Sequence, residues 1–141
     1  MSDLASAQPP PGALSAPVLS CSGVRRSFPV GDRRLEILHG INLELCAGER
    51  LALMGTSGAG KTTLLNILGL LDRPTEGSVT VAGADAWSLS PRRRANLRNE
   101  QIGFVFQFYH LLPELSALEN AVLPAMIKLS RRAYRSSRKE F

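Results

Sequence analysis

GTSGAGKT, residues Gly55 to Thr62, decides how the rest of the chain is read. It fits the pattern in which two glycines frame four residues and Lys and a Ser or Thr follow. A triphosphate presents several negative oxygens, and the simplest preorganised donors for them are backbone N–H groups curled around the anion. Gly55, Gly58 and Gly60 let the backbone bend and approach closely without a Cβ in the way. A helix starting near Lys61 adds free N–H groups and the positive end of its dipole. Lys61 supplies a mobile cation for the β- and γ-phosphates, and the Thr62 hydroxyl can ligate Mg²⁺. With glycine at roughly 7% of residues, these four fixed positions arise by chance in such a chain well under about once in a hundred times. The competing reading is a glycine turn before an ordinary amphipathic helix. Placement decides between them: a nucleotide loop must lie between a buried strand and an apolar-faced helix.

The flanks supply that placement. Upstream, ERLALM (Glu49–Met54) ends in four apolar residues, as a strand buried on both faces would. Downstream, KTTLLNILGLLD sets Leu64, Ile67, Leu68 and Leu71 on one helical face. Further out, Val18–Val24 and Leu35–Cys46 read as antiparallel strands, with Gly31-Asp32 marking a turn between them. GSVTVAG is a short strand with glycines at both ends. In SLSPRRRANLR, Ser90 caps a helix and Pro91 suits its first position. IGFVF reads as a second buried strand, and Ser116 with Glu119 forms a capping box for a helix that Pro124 kinks. There is no internal repeat. The order of elements predicts an α/β layered domain with a β-rich flank. In such a sheet, parallel strands end at the ligand edge. A strand ending at Phe106 would therefore deliver Gln107, a lone amide among aromatics, to the γ-phosphate and Mg²⁺.

Composition excludes other classes. At 141 residues, with 44% hydrophobic and 21% charged residues, the chain can bury one modest core. No run approaches the ~18 consecutive apolar residues of a membrane-spanning helix. Residues 1–17, interrupted by consecutive prolines and lacking a basic leader, read as a disordered lead-in rather than a signal peptide. Cys21 and Cys46 have no metal or redox spacing and read as reduced core residues. The net charge of +5 lies wholly in residues 128–141, KLSRRAYRSSRKEF; residues 1–127 hold 11 basic and 11 acidic side chains. Such a tail can bind polyanions or anionic lipid, but is more often a solvated face, so the body gives no reason to expect nucleic acid as a partner.

The run GTSGAGKTTLLNILGLLDRPTEGSVTVAG followed by IGFVFQFYHLLPELSALENAVLP resembles the ATP-binding subunits of ABC transporters. The resemblance extends from about Val18 to Ile127. It is nearest to the lipoprotein-releasing branch, the LolD-type ATPases, with macrolide-exporter and FtsE-type ATPases as near relatives. It implies a P-loop NTPase (RecA-like) core, an antiparallel β subdomain and the start of a helical subdomain. It also implies an ATPase of the translocase class, using ATP and Mg²⁺, peripheral on the cytoplasmic face of a bacterial inner membrane. By the same resemblance, Phe28 stacks on adenine; a hairpin aromatic covering a core edge is the alternative. Gly55, Thr56, Ser57, Gly58, Ala59, Gly60, Lys61, Thr62 and Thr63 hold the phosphates, with Thr62 on the metal. Gln107 is similar to the glutamine that contacts Mg²⁺ and γ-phosphate and couples the site to transport subunits. Residues Phe108–Leu118 begin the subdomain that meets permease subunits, and a second ATP-binding subunit completes a dimer. His39, His110 and Trp87 match no catalytic position and read as structural.

No segment matches the family's LSGGQ-type signature, its apolar strand ending in Asp-Glu, or its switch histidine. No catalytic set is therefore complete, and the expectation is half of an ATPase, missing the C-terminal half through early termination, a frameshift or fragmentation. A nucleotide-binding regulator that does not hydrolyse, a non-functional truncated product and a polyanion binder are the competing readings.

Overall fold

The computed structural model describes residues 16–128; the expectations for residues 1–15 and for the basic tail from 129 onward lie outside them. The chain forms two compact units divided after Gln101.

The first unit is built on a hairpin. Strand β1 (Leu19–Val30) pairs antiparallel with β2 (Arg33–Leu45), and Val30 opposite Arg33 leaves Gly31-Asp32 as the two-residue turn the sequence implies. Strand β3 (Glu76–Val81) pairs with the other edge of β1, and the two-residue β4 (Ala84–Asp85) closes the order β2-β1-β3-β4. Cys21 and Val24 from β1, Leu38 and Leu43 from β2, and Val79 and Val81 from β3 are buried. Cys21 and Cys46 are buried core residues, as expected. The β1–β3 register slips between Ser22 and Arg25. At this slip Gly77, at φ 86°, passes so close to β1 that an added Cβ would lie 2.5 Å from the carbonyl oxygen of Gly23.

Helix α1 (Lys61–Leu68) buries Leu64, Ile67 and Leu68. The periodicity predicts Leu71 on the same face, yet Leu71 is 47% exposed while Leu70 is buried. The helix ends at Gly69, and Leu70, at φ 59°, turns its side chain into the core instead. Helix α2 (Pro91–Gln101) begins as predicted: the Ser90 hydroxyl accepts the Arg93 N–H at 3.4 Å, and the Ser90 carbonyl accepts that of Arg94 at 2.9 Å. Arg98 donates to the Leu70 carbonyl at 2.9 Å, tying α2 to the exit of α1. Trp87 packs as expected, with the Arg94 guanidinium 4.3 Å over its ring.

In the second unit, α3 (Ala117–Lys128) carries the predicted capping box and continues through Pro124. The Ser116 N–H donates to Glu119 at 2.9 Å, and the Glu119 N–H donates to the Ser116 hydroxyl at 3.3 Å. Asn120 fastens the preceding turn by accepting the Leu112 N–H at 2.8 Å and donating to the Leu115 carbonyl at 3.0 Å.

Two expectations fail. Neither Glu49–Met54 nor Ile102–Phe106 is a strand. The sheet of the described residues contains neither segment. An extended segment becomes a strand only when a neighbour takes its N–H and C=O groups, and no described strand does so. Their side chains follow suit: Met54 is 81% exposed and Val105 fully exposed, although both runs read as buried.

Gly77→Ala is expected to destabilise the first unit by at least about 2 kcal/mol, since left-handed strain adds to a clash with backbone that cannot swing away. Urea unfolding followed by circular dichroism measures it, and an unchanged midpoint would contradict the close β1–β3 approach.

Candidate functional site

The loop Gly55–Gly60 is a mostly exposed turn that feeds α1. Gly60 is the N-cap, buried and at φ 86°. An added Cβ would lie 2.9 Å from Leu38 Cδ2 and 3.2 Å from the Ile37 carbonyl oxygen, so the helix starts hard against β2. Leu64 N–H donates to the Gly60 carbonyl at 2.8 Å, closing the first turn. No side chain caps this N-terminus and its first turn holds no acidic residue. The N–H groups of Lys61, Thr62 and Thr63 have no acceptor within their own helix. Those groups and the dipole form an electropositive end suited to an anion.

Lys61 bends back over the loop. Its ammonium donates to the Gly55 carbonyl at 2.8 Å and to that of Thr56 at 2.7 Å. An ammonium carries three N–H donors, so one remains. The cation is thus anchored at the mouth of the loop rather than swinging in solvent. Within the loop, the Ala59 N–H donates to the Thr56 carbonyl at 3.3 Å, which tightens the turn through Ser57 and Gly58. Thr62 is exposed in the first helical turn. Mg²⁺ is usually held by one or two protein oxygens with phosphates and waters, so a single hydroxyl beside a phosphate loop suits it.

Phe28 stands near the end of β1, 36% exposed, with the Arg26 guanidinium carbon 4.5 Å from its ring centroid. Arg26 also donates to Asp72 at 2.9 Å. Phe28 and the loop therefore belong to one compact unit. Gln107 belongs to the other. It is exposed in a bend, and the segment before it stacks Phe104 on Phe106 at 5.5 Å, with His110 edge-on to Phe106 at 4.9 Å. That segment is not the strand expected to deliver Gln107. His39, 66% exposed and 3.4 Å from Glu36, touches none of these groups by any contact described. Sequence reading missed Arg26 and Asp72. Alternation along β1 carried the available signal, since Arg26 and Phe28 share a face.

The family model described as ABC transporter matches residues 38–140. The lipoprotein-releasing system ATP-binding protein LolD of Hahella chejuensis is 44% identical over 115 residues, covering 82% of this chain and 50% of that protein. The macrolide export ATP-binding/permease protein MacB 1 of Aeromonas hydrophila is 54% identical over 113 residues, covering 80% of this chain and 17% of that protein. Among solved structures, the ATP-binding cassette MJ0796 in a dimeric post-hydrolysis state bound to ADP and Pi superposes with a TM-score of 0.74 at 36% identity. It covers 86% of this chain and 54% of that one. The chain spans about half the length of the LolD relatives it matches.

Gly60→Ala is expected to cost about 1–3 kcal/mol of stability, because a Cβ at this φ also meets Leu38 and Ile37. Thermal unfolding, read alongside amide exchange of Leu64, whose N–H makes the first helical bond, checks it. Wild-type values for both would mean that α1 does not start where the packing places it.

Proposed function

This chain belongs to the ABC transporter ATP-binding family, and on that premise we propose that it binds ATP with Mg²⁺ through Gly55–Thr63 as part of a lipoprotein-releasing or closely related export ATPase. The observation that carries the reading is the uncapped, acid-free start of α1 with Lys61 anchored across the loop. Phosphate oxygens would accept from the first-turn N–H groups and from the third N–H of Lys61. Thr62 would supply one oxygen to Mg²⁺, Phe28 would stack on the base, and Gln107 would bring a second metal contact and report γ-phosphate to the transport subunits. The bound ADP and Pi of the MJ0796 cassette support the nucleotide assignment, and its dimer supports a paired ATP-binding subunit. The LolD relatives support lipoprotein release as the exported cargo's step. The macrolide-exporter relative keeps a sister export role as the second reading.

On this reading the partners are transmembrane permease subunits, met through the segment after Gln107. The location is the cytoplasmic face of an inner membrane, where the chain is peripheral. No helix among the described residues is long and apolar enough to cross a membrane.

Binding and turnover separate chemically. Hydrolysis requires a group that takes a proton from water, and the Gln107 amide has no useful pKa for that. No segment of the sequence matches the family's Asp-Glu strand, switch histidine or signature. The 141-residue chain is thus expected to bind without sustained turnover.

Calorimetry of Mg-ATP against wild type and Lys61→Ala tests the reading. Charge-assisted contacts of this kind contribute roughly 1.5–3 kcal/mol, so the substitution is expected to weaken binding at least tenfold. Equal affinities would overturn the phosphate loop. A phosphate-release assay on the same preparation is expected to show no steady state; turnover that Lys61→Ala abolishes would show that a catalytic base is present after all.

A further inference from the structure

The contacts of Arg26 go beyond a surface ion pair. Its side chain is only 21% exposed, less than the 46% of its neighbour Arg25. Its guanidinium carbon stands over the Phe28 ring, 4.5 Å from the centroid. One end is fixed by Asp72 at 2.9 Å, while its Nε is buried with no hydrogen-bond partner. A buried donor left unsatisfied is unfavourable, so the contact with Phe28 and the bond to Asp72 must offset that cost.

Asp72 is in turn part of the exit of α1. Its N–H donates to the carbonyl of Asn66, within the helix, at 3.2 Å. Three residues on, Thr75 laces the same segment to β1: its N–H donates to the Arg25 carbonyl at 2.8 Å, and its hydroxyl accepts the Ser27 N–H at 3.0 Å. The helix whose start holds the phosphate loop is therefore coupled, through its far end, to Arg25 and Ser27 on the approach to Phe28. Arg26 completes that path at the ring itself.

We infer that Arg26 is a positioning residue of the nucleotide site, which covers one face of Phe28 and fixes the ring against the helix of the phosphate loop through Asp72. The inference rests on the proposed stacking of Phe28 on the base. With one face covered by guanidinium, a base has only the opposite face to stack on. With the ring already held, little side-chain entropy remains to be lost when it does. The phosphates, gripped at the other end of α1, need none of this. Arg26 therefore governs the base-dependent share of affinity alone.

The experiment titrates the 141-residue chain calorimetrically with Mg-ATP and, separately, with Mg-tripolyphosphate, which has no base. Arg26→Ala is expected to weaken Mg-ATP about two- to tenfold, the range for ordering one side chain on binding, and to leave tripolyphosphate unchanged. In a Phe28→Ala background, Arg26→Ala is expected to add nothing. Arg26→Lys guards against misfolding: it keeps a cation for Asp72 but loses the planar stacking surface. It is expected to melt like wild type and still lose affinity for Mg-ATP alone. Equal losses for both ligands, or additive losses with Phe28→Ala, would overturn the inference and leave Arg26 a fold contact. If Phe28→Ala weakens Mg-ATP but neither Arg26 variant does, the inference fails and the stacking reading stands. Unchanged Mg-ATP binding by Phe28→Ala removes both, as does a wild-type chain that binds neither ligand.

Discussion

An eight-residue helix has little stability of its own in water, so the phosphate loop is only as ordered as the packing that holds α1. That packing is the burial of Leu64, Ile67 and Leu70 in a core shared with Val24, Leu38 and Val79 of the antiparallel sheet. It explains why the N-cap is glycine. Helix and β2 approach so closely at Gly60 that the backbone itself is the contact surface, and α1 cannot shift without displacing Leu38. The site is uncapped by any side chain, which leaves the helix start less stable than it could be, and tertiary burial offsets the loss. Donors kept free in this way need no reorganisation when an anion arrives.

The same division between local and tertiary causes decides what could be read from the sequence. The loop, the Gly31-Asp32 hairpin, the Ser90 cap and the Ser116–Glu119 box were legible because each depends on residues within a few positions of one another. The family and its P-loop fold class were legible for the same reason, through the loop and the GFVFQ segment that follows. The segments Glu49–Met54 and Ile102–Phe106 were not, because their composition fits a strand buried on both faces and a strand exists only with its partners. Leu70 displaced Leu71 for a smaller reason: a glycine stopped the helix one turn before the apolar periodicity ended. Arg26 escaped notice because an arginine beside another arginine on a hairpin strand reads as solvated charge. Only its distant partner, Asp72, marks it as something else.

The charges of the first unit sort by burial. Arg25 to Glu36 is a short contact at 2.7 Å, but both side chains are more than a third exposed, and water and salt screen such pairs to little net effect. His39 beside Glu36 is more exposed still. Arg26 to Asp72 is no shorter, yet it sits deeper and spans 46 residues of chain, joining a strand to the exit of a helix. Removing either partner would leave the other partly buried and unpaired, which is costlier than losing a surface pair. Sequence separation and depth, rather than distance between atoms, distinguish the structural pair from the decorative one.

Lys61 raises the complementary question of what a cation proposed to meet a phosphate gains by donating two hydrogen bonds to its own loop. A free lysine side chain loses up to about 2 kcal/mol of rotamer entropy when it is fixed. Tethered to the carbonyls of Gly55 and Thr56, it has lost that freedom before any anion binds, so the remaining N–H meets a phosphate without a further ordering cost. The tether also balances charge within the loop. Two carbonyl dipoles aimed at the ammonium take up two of its three N–H groups, while the start of α1 has no carboxylate to compete with an anion for its N–H groups. An acidic residue in that first turn would stabilise the helix by complementing its dipole and would repel a phosphate by the same interaction. Helix stability and phosphate affinity are therefore opposed at this position, and the chain resolves the conflict by stabilising α1 from its buried face.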